Sequence, residues 1–284
     1  MKRTIVIVIL LLIMFTFGLQ AHACTLWAAN GNIVQGGGSL IVKNRDWAPD
    51  HHQKLKLISP ANGYKYIGLF VIDGNHKGLK AGINEKGLVT ISASAGSIAF
   101  KERKILPYTH ALYEQLLNEC GSVDEAIART ELFLGPQYLM LADRNKVATI
   151  EIGPDGKYAV IMKDSQAIFH TNHYVDESML EFNRVDGLSS NTRYKRIAAL
   201  LSNAATPYNL DTFLDFSNDQ NDGPDNSIFR IGSSPQKQRT MATWAVSIPP
   251  YGSPELYVKI LNPGESEQIK KVKVEDIFDE KLEL

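Results

Sequence analysis

Apolar and polar positions in the first hundred residues group into runs of strand length, at 25–29, 39–44, 54–59, 65–72 and 88–94. Gly36-Gly37-Gly38 and Asp73-Gly74-Asn75 lie between such runs and read as hairpin turns. The period then changes. Residues 107–118 carry apolar positions at helical spacing, and Ser122-Val123-Asp124-Glu125 is a capping-box pattern that opens a second helix. Strand-like runs return at 137–142, 147–152, 158–162 and 167–170. A helix is expected over about 191–202, with Ile197, Leu200 and Leu201 on its buried side, and another after Asn209. Strands at 241–248 and 256–261 close the pattern. Blocks of strands separated by blocks of helices predict an α+β fold, in which helices cover two packed antiparallel sheets, and not a parallel βαβ sheet. No repeat, low-complexity tract or long linker breaks the pattern, so residues 24–284 read as one domain.

The first 23 residues stand apart. Lys2 and Arg3 precede an apolar run from Ile5 to Phe15, and Ala21-His22-Ala23 follows as a small-x-small triplet. Charged start, short apolar middle and small-residue exit predict a signal peptide cleaved before Cys24. The run is shorter than the roughly 20 apolar residues that span a bilayer. A secreted or periplasmic protein is expected, with a signal peptidase as its maturation partner. Cleavage leaves 261 residues, enough for one large core. The leader carries two basic residues and no acidic ones, so the formal charge of −1 becomes −3. No basic block accompanies it, and nothing points to a nucleic-acid partner.

The chain has two cysteines, Cys24 and Cys120. A disulfide framework normally uses more. Cys120 follows Tyr113, Leu116 and Leu117 at the end of an amphipathic stretch and reads as a half-buried free thiol. Cys24 is different, because cleavage before it would make it the first residue and free its α-amino group. That amine has a reference pKa near 8 and can move protons at neutral pH. Nucleophile and base would then share one residue, and nearby positive charge would favour the reactive thiolate. Two structural readings compete: lipidation of Cys24, for which Ala21 is a poor match three residues upstream, and an inert buried cysteine.

Five segments in order weigh the choice. Cys24-Thr25 is followed by Lys43-Asn44-Arg45-Asp46-Trp47, then Gly82-Ile83-Asn84-Glu85-Lys86-Gly87-Leu88, His170-Thr171-Asn172-His173-Tyr174, and Ser189-Ser190-Asn191-Thr192-Arg193-Tyr194-Lys195-Arg196. Together they resemble the choloylglycine hydrolase and penicillin acyltransferase superfamily of N-terminal-nucleophile enzymes. The resemblance implies a four-layer αββα sandwich and acyl transfer through Cys24. It gives Asp46 a role in holding the α-amine by a charge-assisted hydrogen bond; otherwise Asp46 is a turn residue. Lys43 and Arg45 share one strand face by alternation, with Asp46 on the other unless the strand bends. The hydrolases of this family carry an arginine where Lys43 stands, so either residue can serve the thiolate, and Arg45 is favoured. Asn172, with Asn84 as second donor, would face the oxyanion of the tetrahedral intermediate; the plain alternatives are an Asx turn and a hairpin turn. Arg193 would anchor the carboxylate and thiol from behind, where composition alone suggests a solvated helix face shared with Arg196.

No cofactor is expected. His170 and His173 are spaced for helical metal ligation, but the residues before them read as a strand and no third ligand accompanies them. The expected substrate is a small molecule with a linear, non-peptide N-acyl amide bond, such as an acylated amino acid, a conjugated bile acid or a penicillin. Loops near 51–54, 96–104 and 218–226 are candidates to shape the acyl pocket. Hydrolase and acyltransferase remain open, as does a homo-oligomer. Rivals are an N-terminal-cysteine dipeptidase, which the 170–174 segment disfavours, and a cysteine-anchored lipoprotein that binds ligands without chemistry.

Overall fold

The computed structural model describes residues 23–74, 77–163 and 165–279. The leader up to residue 22 lies outside the described residues. Two antiparallel sheets carry the fold. One has six strands: β1 (Cys24–Asn30), β2 (Ser39–Trp47), β10 (Ile168–His170), β11 (Arg239–Ile248), β12 (Glu255–Ile260) and β13 (Gln268–Lys273), in the order β10-β1-β2-β11-β12-β13. The other has seven strands side by side in chain order: β3 (Gln53–Ile58), β4 (Tyr66–Val71), β5 (Gly78–Asn84), β6 (Val89–Ser94), β7 (Gln137–Ala142), β8 (Val147–Ile152) and β9 (Tyr158–Met162).

The sheets pack face to face, and alternation sorts their side chains. Leu26, Ala28 and Ile41 point between the sheets and meet Ile67, Ile83, Ile91 and Met140. Trp27, Leu40 and Val42 point the other way, against Ile197 and Leu201 of a helix at Leu188–Asn203 and Phe213 of one at Leu210–Ser217. On the outer face of the seven-stranded sheet, Leu139, Leu141 and Ile150 pack against Leu116 and Val123. Those two residues belong to helices at Leu112–Glu119 and Val123–Ala128. Helices, sheet, sheet and helices make the expected four layers. The capping box is real: Ser122 Oγ accepts from Glu125 N at 3.2 Å.

Two strands went unread in the sequence. Strand β5 carries Gly78 and Gly82, which look like turn residues. A Cβ at Gly82 would lie 2.6 Å from Leu117 Cδ1 and 3.0 Å from the Ile67 carbonyl, so the glycine is there to let a helix and a neighbouring strand approach. Strand β13 is an edge strand with Lys270, Lys271 and Lys273, a polar pattern that protects an edge and hides its strand character. The first helix of the 107–118 region begins only at Leu112, after a short turn of helix at Phe100–Arg103.

Gly36, Gly37 and Gly38 all have positive φ in the β1–β2 turn. At Gly38 an added Cβ would meet the Ile248 carbonyl at 2.1 Å, whereas at Gly36 nothing lies within 4 Å. Gly36→Ala should therefore cost about 1–2 kcal/mol, the left-handed backbone penalty alone. Gly38→Ala should cost at least ~1 kcal/mol more, a further loss of roughly 2–4 °C in Tm. Equal melting temperatures for the two variants would show that the strand end at Ile248 yields freely.

Candidate functional site

Strand β1 pairs with β2 so that Cys24 stands opposite Arg45, and Leu26 opposite Lys43. Cys24, Lys43 and Arg45 therefore project to the same side, between the sheets, and directly opposed residues have Cβ atoms about 4.5–5.5 Å apart. All three line a cavity of about 670 Å³. Lys43 Nζ donates to the Lys80 carbonyl at 2.7 Å and reaches Ser92 Oγ at 3.5 Å. The Arg45 guanidinium lies 5.2 Å from the centre of the Trp47 ring. Burial pulls Lys43 down to about 8, partly opposed by Cys24, and pulls Arg45 down to about 10. Lys80, on β5 at the same cavity, falls to about 7 through burial and then the charges of Arg45 and Lys43.

Asp46 points to the opposite side of β2. Thr240, its partner on β11, donates from Oγ1 to Asp46 Oδ1 at 2.8 Å, and Arg230 Nη1 stands 3.8 Å from Oδ2. Asp46 is fully buried, and burial raises its pKa against the pull of Arg230 and Arg193. Its backbone N–H donates to the Ala23 carbonyl at 3.1 Å, so the Ala23–Cys24 peptide runs alongside it. The carboxylate meets Thr240 and Arg230 and not the Cys24 nitrogen, which here is still a peptide N–H. That N–H donates to Asn172 Oδ1 at 2.9 Å.

Asn172 follows β10 in a tight loop. Ser190 Oγ accepts from the Asn172 backbone N–H at 2.9 Å and lies 2.8 Å from His173 Nδ1. Asn172 Nδ2 donates to the Ser94 carbonyl at 2.9 Å, which uses one of its two hydrogens. Arg193 closes the cluster from the helix at Leu188–Asn203. Its Nη1 donates to the Cys24 carbonyl at 2.5 Å and to Thr25 Oγ1 at 2.9 Å, and its Nη2 to Asn172 Oδ1 at 3.0 Å. It is 1 % exposed, so the solvated-face reading does not hold for it. Arg196 pairs instead with Asp219 on a half-buried surface.

Asn84, expected as a second oxyanion donor, lies outside the cavity lined by Cys24. Its Nδ2 donates to the carbonyls of Leu117 and Cys120, its Oδ1 accepts from Lys86 and Leu88, and its backbone N–H donates to the Leu88 carbonyl. Every donor is consumed in the β5–β6 hairpin and the helix end beneath it. Of the three loops expected to shape the pocket, 96–104 contributes Phe100, Arg103 and Lys104, while 51–54 and 218–226 do not line it. His170 pairs with Glu151 at 2.7 Å, both fully buried. Cys120 is buried among helix residues on the outer face of the seven-stranded sheet. Thr240, Arg230 and Lys80 carry no motif that singles them out; Ser190 lies in the segment of residues 189–196, where only Arg193 was given a role.

The cavity charge should be visible chemically. Lys80 is protonated below about 7 and Lys43 below about 8, so the positive field weakens as pH rises through that window. In Cys120→Ser protein, alkylation of Cys24 by anionic iodoacetate relative to neutral iodoacetamide should be highest near pH 6 and fall toward pH 9. Because both reagents need the thiolate, the ratio isolates the field. A ratio independent of pH, or rising with it, would contradict these lysine positions.

The fold is shared with solved N-terminal-nucleophile hydrolases. A conjugated bile acid hydrolase from Clostridium perfringens superposes with a TM-score of 0.58 at 13% identity, covering 89% of this chain and 93% of that one. The Caenorhabditis elegans ortholog of N-acylethanolamine-hydrolyzing acid amidase gives 0.53 at 12% identity, covering 80% of this chain and 94% of that one. No curated protein matches in sequence. Residues 33–255 match the family described as acyl-coenzyme A:6-aminopenicillanic acid acyl-transferase, and the chain belongs to that family of N-terminal-nucleophile hydrolases and acyltransferases.

Proposed function

We propose that this protein is an exported amidohydrolase or acyltransferase that cleaves a linear N-acyl amide through an acyl-Cys24 intermediate. The observation that carries this reading is the placing of Cys24 opposite Arg45 on a 670 Å³ cavity, with its nitrogen on Asn172 Oδ1. Removal of residues 1–23 turns that nitrogen into the α-amine. Ala23 now sits across from Asp46, so the new ammonium would emerge beside the Asp46 carboxylate, whose Oδ2 has no hydrogen bond.

The Cys24 thiolate attacks the amide carbonyl and the carbonyl oxygen gains the charge. The second Nδ2 hydrogen of Asn172 supports that oxyanion. Collapse breaks the C–N bond, and the leaving amine takes a proton from the α-ammonium. A thioester remains. Water, or a second amine, gives its proton to the α-amine and attacks the thioester, and the thiolate is released. Arg45 and Lys43 favour the thiolate at both ends of the cycle.

Cys24→Ser should reduce turnover by several orders of magnitude with little effect on folding, because a hydroxyl is a far weaker nucleophile at neutral pH. Cys120→Ser should leave turnover nearly intact. Asn172→Ala should slow acylation by roughly 10²–10³ and affect KM less. Full activity in Cys24→Ser would end this reading. Mass analysis of the exported protein should find an N-terminal Cys24 with a free amine; a diacylglyceryl-cysteine, or retained leader residues in active protein, would contradict the α-amine mechanism.

A further inference from the structure

A second cavity, of about 490 Å³, shares no lining residue with the one beside Cys24. It borders the residues that hold Asp46, because Thr240 and Arg230 both lie in its wall. Arg230 and Arg239 bring two guanidinium groups to that wall against one carboxylate, Glu265. Glu265 is engaged: its Oε2 accepts from Asn262 Nδ2 at 2.9 Å and from Gln268 Nε2 at 3.0 Å, and its Oε1 lies 4.0 Å from His52 Nε2.

The arginines are not saturated. Arg230 is 7 % exposed and commits Nη1 to Gln238 Oε1 at 3.1 Å, with Asp46 Oδ2 3.8 Å from the same nitrogen. Arg239 commits Nη2 to the carbonyls of Ser234 and Pro235. Nη2 of Arg230 and Nη1 of Arg239 make no hydrogen bond among the described residues, and both Nε atoms are buried without a partner. Guanidinium groups in that state favour an anion, and their planar fork suits a carboxylate. Pro49, Phe229, Ile231, Pro235, Leu261 and Pro263 make the rest of the wall largely apolar. A bare inorganic anion would leave that surface wet, so the wall selects a carboxylate attached to hydrocarbon.

One loop ties this cavity to the Asp46 end of β2. Arg230 N donates to Thr240 Oγ1 at 2.9 Å, and Thr240 N donates to the Arg230 carbonyl at 2.8 Å. The loop thus closes on the threonine that donates to Asp46. Among the positive charges acting on Asp46, that of Arg230 is the largest, ahead of Arg193 and Arg45. An anion bound to Arg230 offsets that charge, so a proton on Asp46 or on an amine beside it is held more tightly.

We propose that this cavity is a second ligand site, which takes a carboxylate on an apolar tail between Arg230 and Arg239, and that its occupant restrains the Cys24 α-amine through Arg230 and Asp46. The restraint rests on the α-amine reading above; the site itself does not. Because the free amine is the base that activates water, occupancy slows turnover.

Octanoate serves as the probe, with octanol and acetate as controls for charge and tail. On protein beginning at residue 24 and carrying Cys24→Ala, calorimetry should show octanoate binding at least about tenfold tighter than either control. Arg239→Met should weaken it by about tenfold or more, and Arg239→Lys by less. Lys80→Met, in the cavity beside Cys24, should leave it unchanged. Ile231 is 51 % exposed, so Ile231→Glu should fold normally and, by adding a like charge to the cavity, weaken octanoate as Arg239→Met does. Binding lost in Lys80→Met and kept in Arg239→Met would put octanoate beside Cys24 and overturn the site. Equal binding of either control, or no binding, would overturn it too. At neutral pH, saturating octanoate should slow acylation of the N-terminal amine of the same protein by about threefold, the effect of half a pKa unit, and should not do so in Arg239→Met. Unchanged or faster acylation with octanoate bound would overturn the link to Asp46. A failure of amide cleavage alters neither measurement.

Discussion

The site depends on one buried guanidinium. Arg193 reaches from a helix through the six-stranded sheet's outer face to the first residues of β1, where it binds the Cys24 carbonyl, Thr25 Oγ1 and Asn172 Oδ1. A buried arginine costs least when its donors are satisfied. Here its neighbours are the elements that meet at the site: the strand of Cys24, the loop after β10, and the helix itself. Ser190, three residues before Arg193, holds the same loop through the Asn172 backbone N–H and the His173 ring. One turn of helix thus orders the residues around the Cys24 nitrogen.

Strand alternation divides the remaining work. On β2, Lys43 and Arg45 face the cavity with Cys24, while Asn44 and Asp46 face the helices. Asn44 donates to the carbonyls of Ser217 and Ile228 and accepts from Thr243, which fastens the strand to the helical layer and to β11. The thiol side is cationic and the nitrogen side contains the carboxylate. A single strand therefore keeps the basic pair and the carboxylate on opposite sides, with no need for distant elements to agree on their placement.

Much of this arrangement was legible in the sequence. The α+β class followed from the change in apolar period and the four layers from the family resemblance, while Lys43 and Arg45 were placed on one face by alternation alone. Arg193 needed the Ser-Ser-x-x-Arg-aromatic segment, because a basic residue on an amphipathic helix gives no local sign of burial. Asn84 was misjudged for a physical reason: an asparagine before a turn glycine can satisfy a hairpin or a ligand, and only the carbonyls of Leu117 and Cys120 beneath it decide. Lys80 was hidden by glycines that make β5 look like a turn. Thr240 and Arg230 were unreadable because their partner, Asp46, is about two hundred positions earlier in the chain, with no intervening pattern to connect them.

That distance in sequence has a consequence for how the protein comes into being. The seven-stranded sheet grows by neighbours along the chain, and each strand pairs with the next. The six-stranded sheet does not. Cys24 meets Asn172 across 148 residues, Asn44 meets Ile228 across 184, and Asp46 meets Thr240 across 194. Pairings of such long range form slowly, because the loop entropy must be lost before the contacts are gained. On a ribosome the sheet that forms the cavity's far wall can assemble from nascent chain, while β2 waits for β11 with one edge open. A polypeptide released before residue 239 would carry Cys24, Lys43 and Arg45 in full, yet present Asp46 without its threonine and β2 without β11. Competence at this site is a property of the completed chain.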